Sequence, residues 1–220
     1  MLNTVIFDMD GLLIDSEPHW QQAGMEALEQ FGIELTLDQY RTSTGLRTPE
    51  WLEYWFNHFN IDNKHSISTI KRIEDKAIEL IQKNGIPFPG TNYILHFFKE
   101  RNFKIGLATS SPLQLIEVVV EKLGIRNLFD TFSSAEGLPL GKPHPQVYIN
   151  CAAQMDVSPL ECICFEDSFN GIRSAKASRM YCVAVPEPIQ FDHKKWGAAD
   201  IKIAELMDFN ESHLDQLGWS

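Results

Sequence analysis

Four polar signals stand at the ends of apolar runs along this chain and keep one order. They are Asp8-Met9-Asp10-Gly11, Thr109-Ser110, Lys142 and Glu166-Asp167. Strand ends of one polarity gather on one edge of a parallel α/β sheet, so such a fold would bring these signals together. The resulting site would hold carboxylates, a hydroxyl and an ammonium, which suit a magnesium ion and a phosphoryl group.

The rest of the pattern favours that fold. Buried apolar runs predict strands over residues 4–7, 105–108, 162–165 and 181–185. Helical spacing of apolar residues predicts helices over about 113–123, 145–155 and 169–177. Alternating strands and helices are typical of an α/β fold with a doubly wound parallel sheet.

A long insertion separates the first strand from the second. Its segments 17–31, 49–59 and 67–83 have helical spacing, and no segment within it has a strand pattern. The insertion is far longer than an ordinary crossover between parallel strands. We therefore predict an all-α helical cap, residues 16–87, inserted into an α/β core of residues 1–15 and 88–220.

Charge limits the partners of the chain. Its 220 residues include 19 Lys and Arg and 30 Asp and Glu, which gives a formal net charge of −11. No block of basic residues could follow a phosphate backbone, so nucleic acid is not expected as a partner. An acidic chain also repels an anionic substrate at long range, so a phosphate site must carry its own cations.

Cysteine usage and hydropathy indicate the compartment. The cysteines lie in or beside apolar runs and are expected to be buried core thiols; they are Cys151, Cys162, Cys164 and Cys182. The chain starts without the pattern of a signal peptide, and no run reaches the roughly 20 apolar residues that span a membrane. We expect a cytoplasmic protein without a membrane partner, and its acidic surface is compatible with a monomer.

The first motif has the groups needed for phosphoryl transfer. Asp8 is the candidate nucleophile, because a carboxylate can attack phosphorus and form an aspartyl phosphate. Asp10 is the candidate general acid and base, near enough to protonate the leaving alkoxide and later take a proton from water. Gly11 permits a tight turn that brings backbone amides close to the phosphoryl oxygens.

The later motifs supply candidate metal ligands. Mg²⁺ prefers oxygen ligands, a few of them carboxylates, and Asp8 and Asp167 are the expected direct ligands. Glu166 is either a third ligand or a neighbour that holds one. The ion would neutralise charge between the nucleophile and the incoming phosphate, which otherwise repel each other.

The remaining polar signals are candidates for holding the phosphoryl group. Thr109 and the backbone amide of Ser110 would donate hydrogen bonds to its oxygens, and Ser111 is a further candidate in the same segment. The Lys142 ammonium would stabilise negative charge on the phosphoryl group and on the nucleophile. Positioning and electrostatics account for most of phosphoryl-transfer catalysis, so these groups are sufficient in kind.

Three segments together resemble a known family. Residues 8–16, followed by Gly141-Lys142-Pro143-His144-Pro145 and Phe165-Glu166-Asp167-Ser168, resemble the haloacid dehalogenase superfamily of phosphohydrolases. The insertion after the first motif is similar to that of phosphoglycolate phosphatase and β-phosphoglucomutase. Segments 106–112 and 134–139 resemble bacterial sugar phosphatases acting on 2-deoxyglucose 6-phosphate and related hexose or hexitol phosphates. The resemblance covers essentially the whole chain and implies a Rossmann-like core and a magnesium-dependent sugar phosphatase.

The resemblance also implies roles for residues outside the core motifs. It implies that the Asp10 backbone carbonyl binds the metal, and that a loop between two cap helices reaches the substrate. The matching loop, residues 43–48, contains Gly45, Leu46 and Arg47, whose guanidinium could bind a phosphate or sugar hydroxyls. Glu17 and Trp20 follow the first motif and could touch the leaving group, although Trp20 equally fits the apolar core of the cap.

Taken singly, several of these residues have ordinary structural explanations. Lys142 in a Gly-Lys-Pro turn fits a solvated surface lysine, and Thr109 fits a helix cap. Acids such as Glu166-Asp167 are favoured at any helix N-terminus, and Arg47 fits an exposed arginine near a helix start. Their order and their shared placement at strand ends favour a catalytic site.

Three alternative functions share the same fold. A mutase similar to β-phosphoglucomutase is disfavoured because that enzyme has a histidine at the position that we align with Trp20, although His19 is only one place away. A non-catalytic binding protein usually lacks the nucleophile or the acid, and both are present here. A dehalogenase is disfavoured by Asp10 and Gly11, which suit phosphate chemistry.

Overall fold

A computed structural model describes residues 1–219, and a parallel sheet forms its centre. The strands are β1 (Thr4–Phe7), β2 (Lys104–Thr109), β3 (Thr131–Ser134), β4 (Cys162–Glu166), β5 (Tyr181–Ala184) and β6 (Ile201–Lys202). Their order across the sheet is β3-β2-β1-β4-β5-β6, and every pair of neighbours is parallel. Strand β1 is buried along its whole length, as expected where helices cover both faces of a sheet.

Helices cover the sheet and form the insertion. They are α1 (Glu17–Glu29), α2 (Leu37–Arg41), α3 (Thr48–Phe59), α4 (Ser66–Asn84), α5 (Thr91–Lys99), α6 (Leu113–Lys122), α7 (Gln146–Gln154), α8 (Phe169–Ala177) and α9 (Glu211–Gln216). Within residues 1–219, no helix is long and apolar enough to cross a membrane.

The predicted doubly wound parallel sheet is confirmed. The four predicted strands and six predicted helices are present, with most ends shifted by only one or two residues. The sequence prediction omits β3, β6, α2, α5 and α9. The two omitted strands are the edges of the sheet, and each is too short to show a clear alternation of apolar residues.

The insertion is joined to the sheet by two adjacent chain segments. Ile14 forms an antiparallel bridge with Pro87. The Asp15 N–H donates to the Ile86 carbonyl at 2.9 Å, and the Phe88 N–H donates to the Leu13 carbonyl at 2.9 Å. In the sequence, helices α1 to α4 lie between these two segments, residues 13–15 and 86–88. We refer to residues 16–87 as the cap.

Two apolar layers flank the sheet. Aromatic rings fill one of them, where Phe165 lies with its ring centroid 5.0 Å from Phe7 and 4.9 Å from Phe209. This layer continues into the cap core around Trp55 and Phe56. The other layer contains the four cysteines, which are buried free thiols, so their prediction as core residues is confirmed.

Candidate active site

Neighbouring strand ends place the motif residues at one edge of the sheet. Strand β1 lies between β2 and β4, and its last residue, Phe7, is in register with a residue of each. Asp8 follows Phe7, while Thr109 ends β2 and Glu166 ends β4. The carboxyl edge of an open parallel sheet is where such folds bind ligands.

Lys142 lies at the centre of this edge, with its side chain only 1% exposed. Its ammonium donates to Asp8 Oδ1 and Glu166 Oε1, each at 2.6 Å, and to the Ala108 carbonyl at 3.1 Å. Burial lowers the pKa of Lys142, but the two carboxylates raise that pKa by more, so the group stays charged. Lys142 is therefore not a surface lysine.

Glu166 is held by the protein interior. Its Oε1 accepts from Lys142 and from the Tyr148 hydroxyl, and its Oε2 accepts from the Ser168 hydroxyl at 3.2 Å and the Ser168 N–H at 3.4 Å. Gly171 lies so close that a Cβ at this position would overlap the Glu166 carboxylate. The sequence pattern assigned no role to Tyr148 or Gly171, and Ser168 appeared only as the last residue of the segment 165–168. Only Ser168 carries a local signal, because it caps α8.

Asp10 accepts hydrogen bonds from four side chains. Its Oδ1 accepts from the Ser16 hydroxyl at 2.7 Å and from the Trp20 indole N–H at 2.8 Å. Its Oδ2 accepts from the Ser111 hydroxyl at 2.7 Å and from the Thr109 hydroxyl at 3.3 Å. Ser16 stands where a serine usually caps a helix, but it makes no side-chain capping bond to α1. Residues at the start of the cap and residues at the end of β2 thus orient the Asp10 carboxylate together.

Three carboxylates could hold a metal ion. Ligand atoms of Asp8, Glu166 and Asp167 lie within 4.8 Å of one another. Burial raises the pKa of Asp8 although the Lys142 charge opposes this, and burial together with the Asp8 charge raises the pKa of Asp167. A divalent cation would allow these groups to be charged together, and oxygen atoms are the ligands that Mg²⁺ prefers. The residues present therefore fit Mg²⁺.

The candidate ligands differ in how many of their oxygens are available. Both Glu166 oxygens already accept hydrogen bonds from the protein. Asp8 uses Oδ1 for the Lys142 ammonium. Among residues 1–219, no hydrogen-bond donor or basic group is bonded to the Asp167 carboxylate. Asp167 is therefore the candidate ligand with the least competition from the protein.

A cavity separates this sheet edge from the cap. Most of the residues predicted for the site line it: Asp8, Asp10, Glu17, Trp20, Gly45, Leu46, Thr109, Ser110, Ser111, Lys142 and Asp167. Gly11, Arg47 and Glu166 are absent from this wall. Trp51, Ile73 and Tyr40 of the cap add apolar and aromatic surface that the sequence analysis did not assign to the site. Helical spacing alone gave no reason to place them there rather than in the cap core.

Glu17 lies at the base of the cap, on the wall of this cavity. Burial raises its pKa to about 8, and the negative charges of Asp10 and Asp8 add to the effect. A carboxyl group with this pKa is largely protonated at neutral pH, so it can donate a hydrogen bond as well as accept one. Glu17 is thus equipped to bind a hydroxyl group.

Gly11 allows the tight turn that follows β1. Its φ of 71° is in the left-handed region, and a Cβ there would overlap the Asp167 carboxylate. Its N–H donates to the Ile14 carbonyl at 3.0 Å, so this amide closes the turn. Gly11 therefore permits the close approach of the turn to Asp167.

Arg47 connects the cap to a loop of the core. Its guanidinium donates to the carbonyls of Ala135, at 3.0 Å, Leu138 and Pro139. It also pairs with Glu50 at 2.7 Å, and Glu50 accepts from the Gly141 N–H at 2.8 Å. These contacts link the cap to the loop that leads into Lys142. The terminal nitrogens of Arg47 are thus already bonded to the protein.

Comparison with known proteins identifies the family. Residues 5–185 match the haloacid dehalogenase-like hydrolase family. The chain belongs to this family. Hexitol phosphatase B of Escherichia coli K12 is 36% identical to it over 210 residues, which cover 95% of both chains. Fructose-1-phosphate phosphatase YqaB of the same strain is 29% identical over 188 residues, covering 82% of this chain and 95% of the relative.

Two solved structures have the same fold as this chain. β-Phosphoglucomutase of Clostridium difficile superposes with a TM-score of 0.88 at 23% identity, covering 100% of this chain and 98% of its own. CbbY of Rhodobacter sphaeroides, crystallised with phosphate, superposes with a TM-score of 0.82 at 22% identity, covering 94% and 95% of the two chains. At these identities the likeness concerns the fold alone.

Proposed function

We propose that this haloacid dehalogenase-like protein is a Mg²⁺-dependent phosphatase of small sugar phosphates. Its substrates would be hexose or hexitol 6-phosphates such as 2-deoxyglucose 6-phosphate. The observation that carries the proposal is the buried Lys142 ammonium between Asp8 and Glu166, with Asp10 and Asp167 at the same cavity. The similarity to Hexitol phosphatase B and to fructose-1-phosphate phosphatase supports the substrate class.

Asp8 would be the nucleophile. Its Oδ1 is bonded to Lys142, which leaves Oδ2 for attack on phosphorus. The P–O bond to the sugar breaks as the aspartyl phosphate forms, and water later hydrolyses that intermediate. Thr109, Ser110 and Ser111 lie on the same wall and would donate to the phosphoryl oxygens.

Asp10 would act as general acid and then as general base. It would give its proton to the leaving alkoxide in the first step and take one from water in the second. Its two oxygens are held by Ser16 and Trp20 on one side and by Thr109 and Ser111 on the other. These four hydrogen bonds hold the carboxylate in one orientation, and this limits the directions in which Asp10 can give or take a proton.

Asp8, Asp167 and the Asp10 backbone carbonyl would hold the Mg²⁺ ion. When bound, the ion supplies positive charge that offsets repulsion between the phosphate and the carboxylates. Glu166 would act mainly by holding Lys142, because its oxygens already accept hydrogen bonds from the protein.

The cap, residues 16–87, would close over the core and select the sugar. Glu17, Gly45 and Leu46 line the cavity from this side and would contact the non-phosphate part of the substrate. The Glu17 carboxyl would bind a sugar hydroxyl, and Arg47 would act by holding the cap to the core.

A panel of phosphate esters tests the proposal. Phosphate release would be measured from 2-deoxyglucose, glucose, mannose, fructose and sorbitol 6-phosphates, with phosphoglycolate and β-glucose 1-phosphate included, each with magnesium and with chelator. An Asp8→Asn variant purified in parallel controls for contaminating phosphatases. We expect magnesium-dependent release concentrated on the 6-phosphates. Release from none of them, or isomerisation of β-glucose 1-phosphate, would overturn the proposal.

A further inference from the structure

Two side chains of the cap, those of Ser16 and Trp20, donate to Oδ1 of the candidate general acid Asp10. Trp20 belongs to α1, the first helix of the cap, and its indole N–H donates to Asp10 Oδ1 at 2.8 Å. The ring also packs against the apolar core. The position of helix α1 therefore affects the orientation of the Asp10 carboxylate, because Trp20 belongs to the helix and donates to the carboxylate.

The chemistry of the indole determines which Asp10 oxygen can carry the acidic proton. Oδ1 accepts from the Ser16 hydroxyl and from the Trp20 indole N–H, and the indole N–H can donate but cannot accept a proton from it. Oδ2 faces the hydroxyls of Ser111 and Thr109, and both can accept. Oδ2 is thus the Asp10 oxygen whose protein partners can all accept a proton, and it lies on the side of the phosphoryl-binding residues.

We propose that Trp20 is a positioning residue for general acid catalysis by Asp10, acting through its N–H bond to Oδ1. The inference rests on the proposed phosphatase function. In the first step, Asp8 forms a bond to phosphorus and the bond to the leaving oxygen breaks with its electron pair. The Asp10 Oδ2 proton moves to that oxygen, and negative charge appears on the Asp10 carboxylate. The Trp20 N–H stabilises that charge on Oδ1.

This role predicts a dependence on the leaving group. An alkyl phosphate such as sorbitol 6-phosphate releases a strongly basic alkoxide, which needs a proton as it departs. p-Nitrophenyl phosphate releases a weakly basic phenolate that departs without one. The ratio kcat/KM includes only steps up to the first irreversible one, so it reports on cleavage of the ester bond. Loss of the Trp20 N–H should lower kcat/KM for the alkyl ester and spare that for the aryl ester.

Two substitutions separate the hydrogen bond from packing. Trp20→Phe keeps an aromatic ring and removes the donor. Trp20→His restores a ring N–H, because the histidine Nε2 occupies the same place in a five-membered ring as the indole Nε1. Trp55→Phe is the matched control, since Trp55 is buried in the cap and donates to Ser43 rather than to Asp10. Thermal unfolding of each variant would check that it is folded.

We expect Trp20→Phe to lower kcat/KM about tenfold for sorbitol 6-phosphate and less than about twofold for p-nitrophenyl phosphate. Trp20→His should recover most of the alkyl ester activity, and Trp55→Phe should match the wild type on both substrates. Equal losses on both esters, or no loss in Trp20→Phe, would overturn the positioning role while leaving the phosphatase function intact. No magnesium-dependent release by the wild type from either ester would overturn the proposed function and this inference with it.

Discussion

Replacing Gly171 with alanine tests the packing beneath the candidate site. Gly171 lies in α8, where local preference alone favours alanine over glycine by about 1 kcal/mol. The structure predicts the opposite outcome, because an alanine Cβ would overlap the fully buried Glu166 carboxylate. The two expectations differ in sign, so the substitution distinguishes between them.

The size of the effect follows from the bonds that hold Glu166. To make room, the carboxylate must move away from α8 and lose at least two of its bonds to Lys142, Tyr148 and Ser168. Each hydrogen bond to a charged group contributes about 1.5–3 kcal/mol. After the gain in helix propensity, Gly171→Ala should lower the free energy of unfolding by about 2–5 kcal/mol. A shift of Lys142 should also lower kcat at least about tenfold.

Urea unfolding followed by circular dichroism, with chelator present, measures the stability change. Gly137→Ala is the matched control, because a Cβ at Gly137 meets no atom within 4 Å. Its free energy of unfolding should stay within about 0.5 kcal/mol of the wild type. If Gly171→Ala were as stable as the wild type or more stable, the close packing of α8 against Glu166 would be wrong.

Three further predictions concern the candidate site. Asp8→Asn should abolish turnover while calorimetry still detects magnesium-dependent binding of inorganic phosphate, and normal turnover would exclude Asp8 as the nucleophile. Arg47→Ala should lower kcat/KM for sugar phosphates and for p-nitrophenyl phosphate by a similar factor, about tenfold. The reason is that Arg47 holds the cap to backbone carbonyls of the core. A loss confined to sugar phosphates would instead indicate a direct contact with the sugar. The Glu17 pKa is raised from 4.5 to about 8, so folding takes up a proton and stability falls as the pH rises between those values. Glu17→Gln removes this dependence. The melting temperature of the variant minus that of the wild type should therefore increase from pH 5 to pH 8.5 in the presence of chelator. If this difference stayed constant, the Glu17 pKa would not be raised.

Much of the core could be predicted from local pattern. Strands such as β1 and β4 are continuous apolar runs, because in a parallel sheet both faces are covered. Asp8, which follows β1, and Glu166, which ends β4, could be recognised because they interrupt these apolar runs. The parallel arrangement then brings these ends together at one edge. The α/β core and the grouping of its motif residues are therefore properties of the sequence pattern.

Weak local signals explain what the sequence prediction omitted from the fold. Strand β3 has the sequence Thr131–Ser134, which is polar at three of four positions, and β6 has only two residues. Both are held by pairing with a neighbouring strand rather than by their own propensity. Their formation depends on the sheet that they join.

The contacts that orient the candidate site were decided only by tertiary structure. Nothing in the sequence near Trp20 indicates that its N–H reaches Asp10, and nothing near Tyr148 indicates that its hydroxyl, on α7, reaches Glu166 at the end of β4. Arg47 is a second example. Its position in the sequence allowed a contact with substrate, but in the fold its guanidinium is bonded to backbone carbonyls of the core. Sequence pattern determined which groups reach the sheet edge, because strand periodicity is local. Packing between distant segments determined which of those groups are bonded to one another, because hydrogen bonds depend on positions that only the folded chain defines.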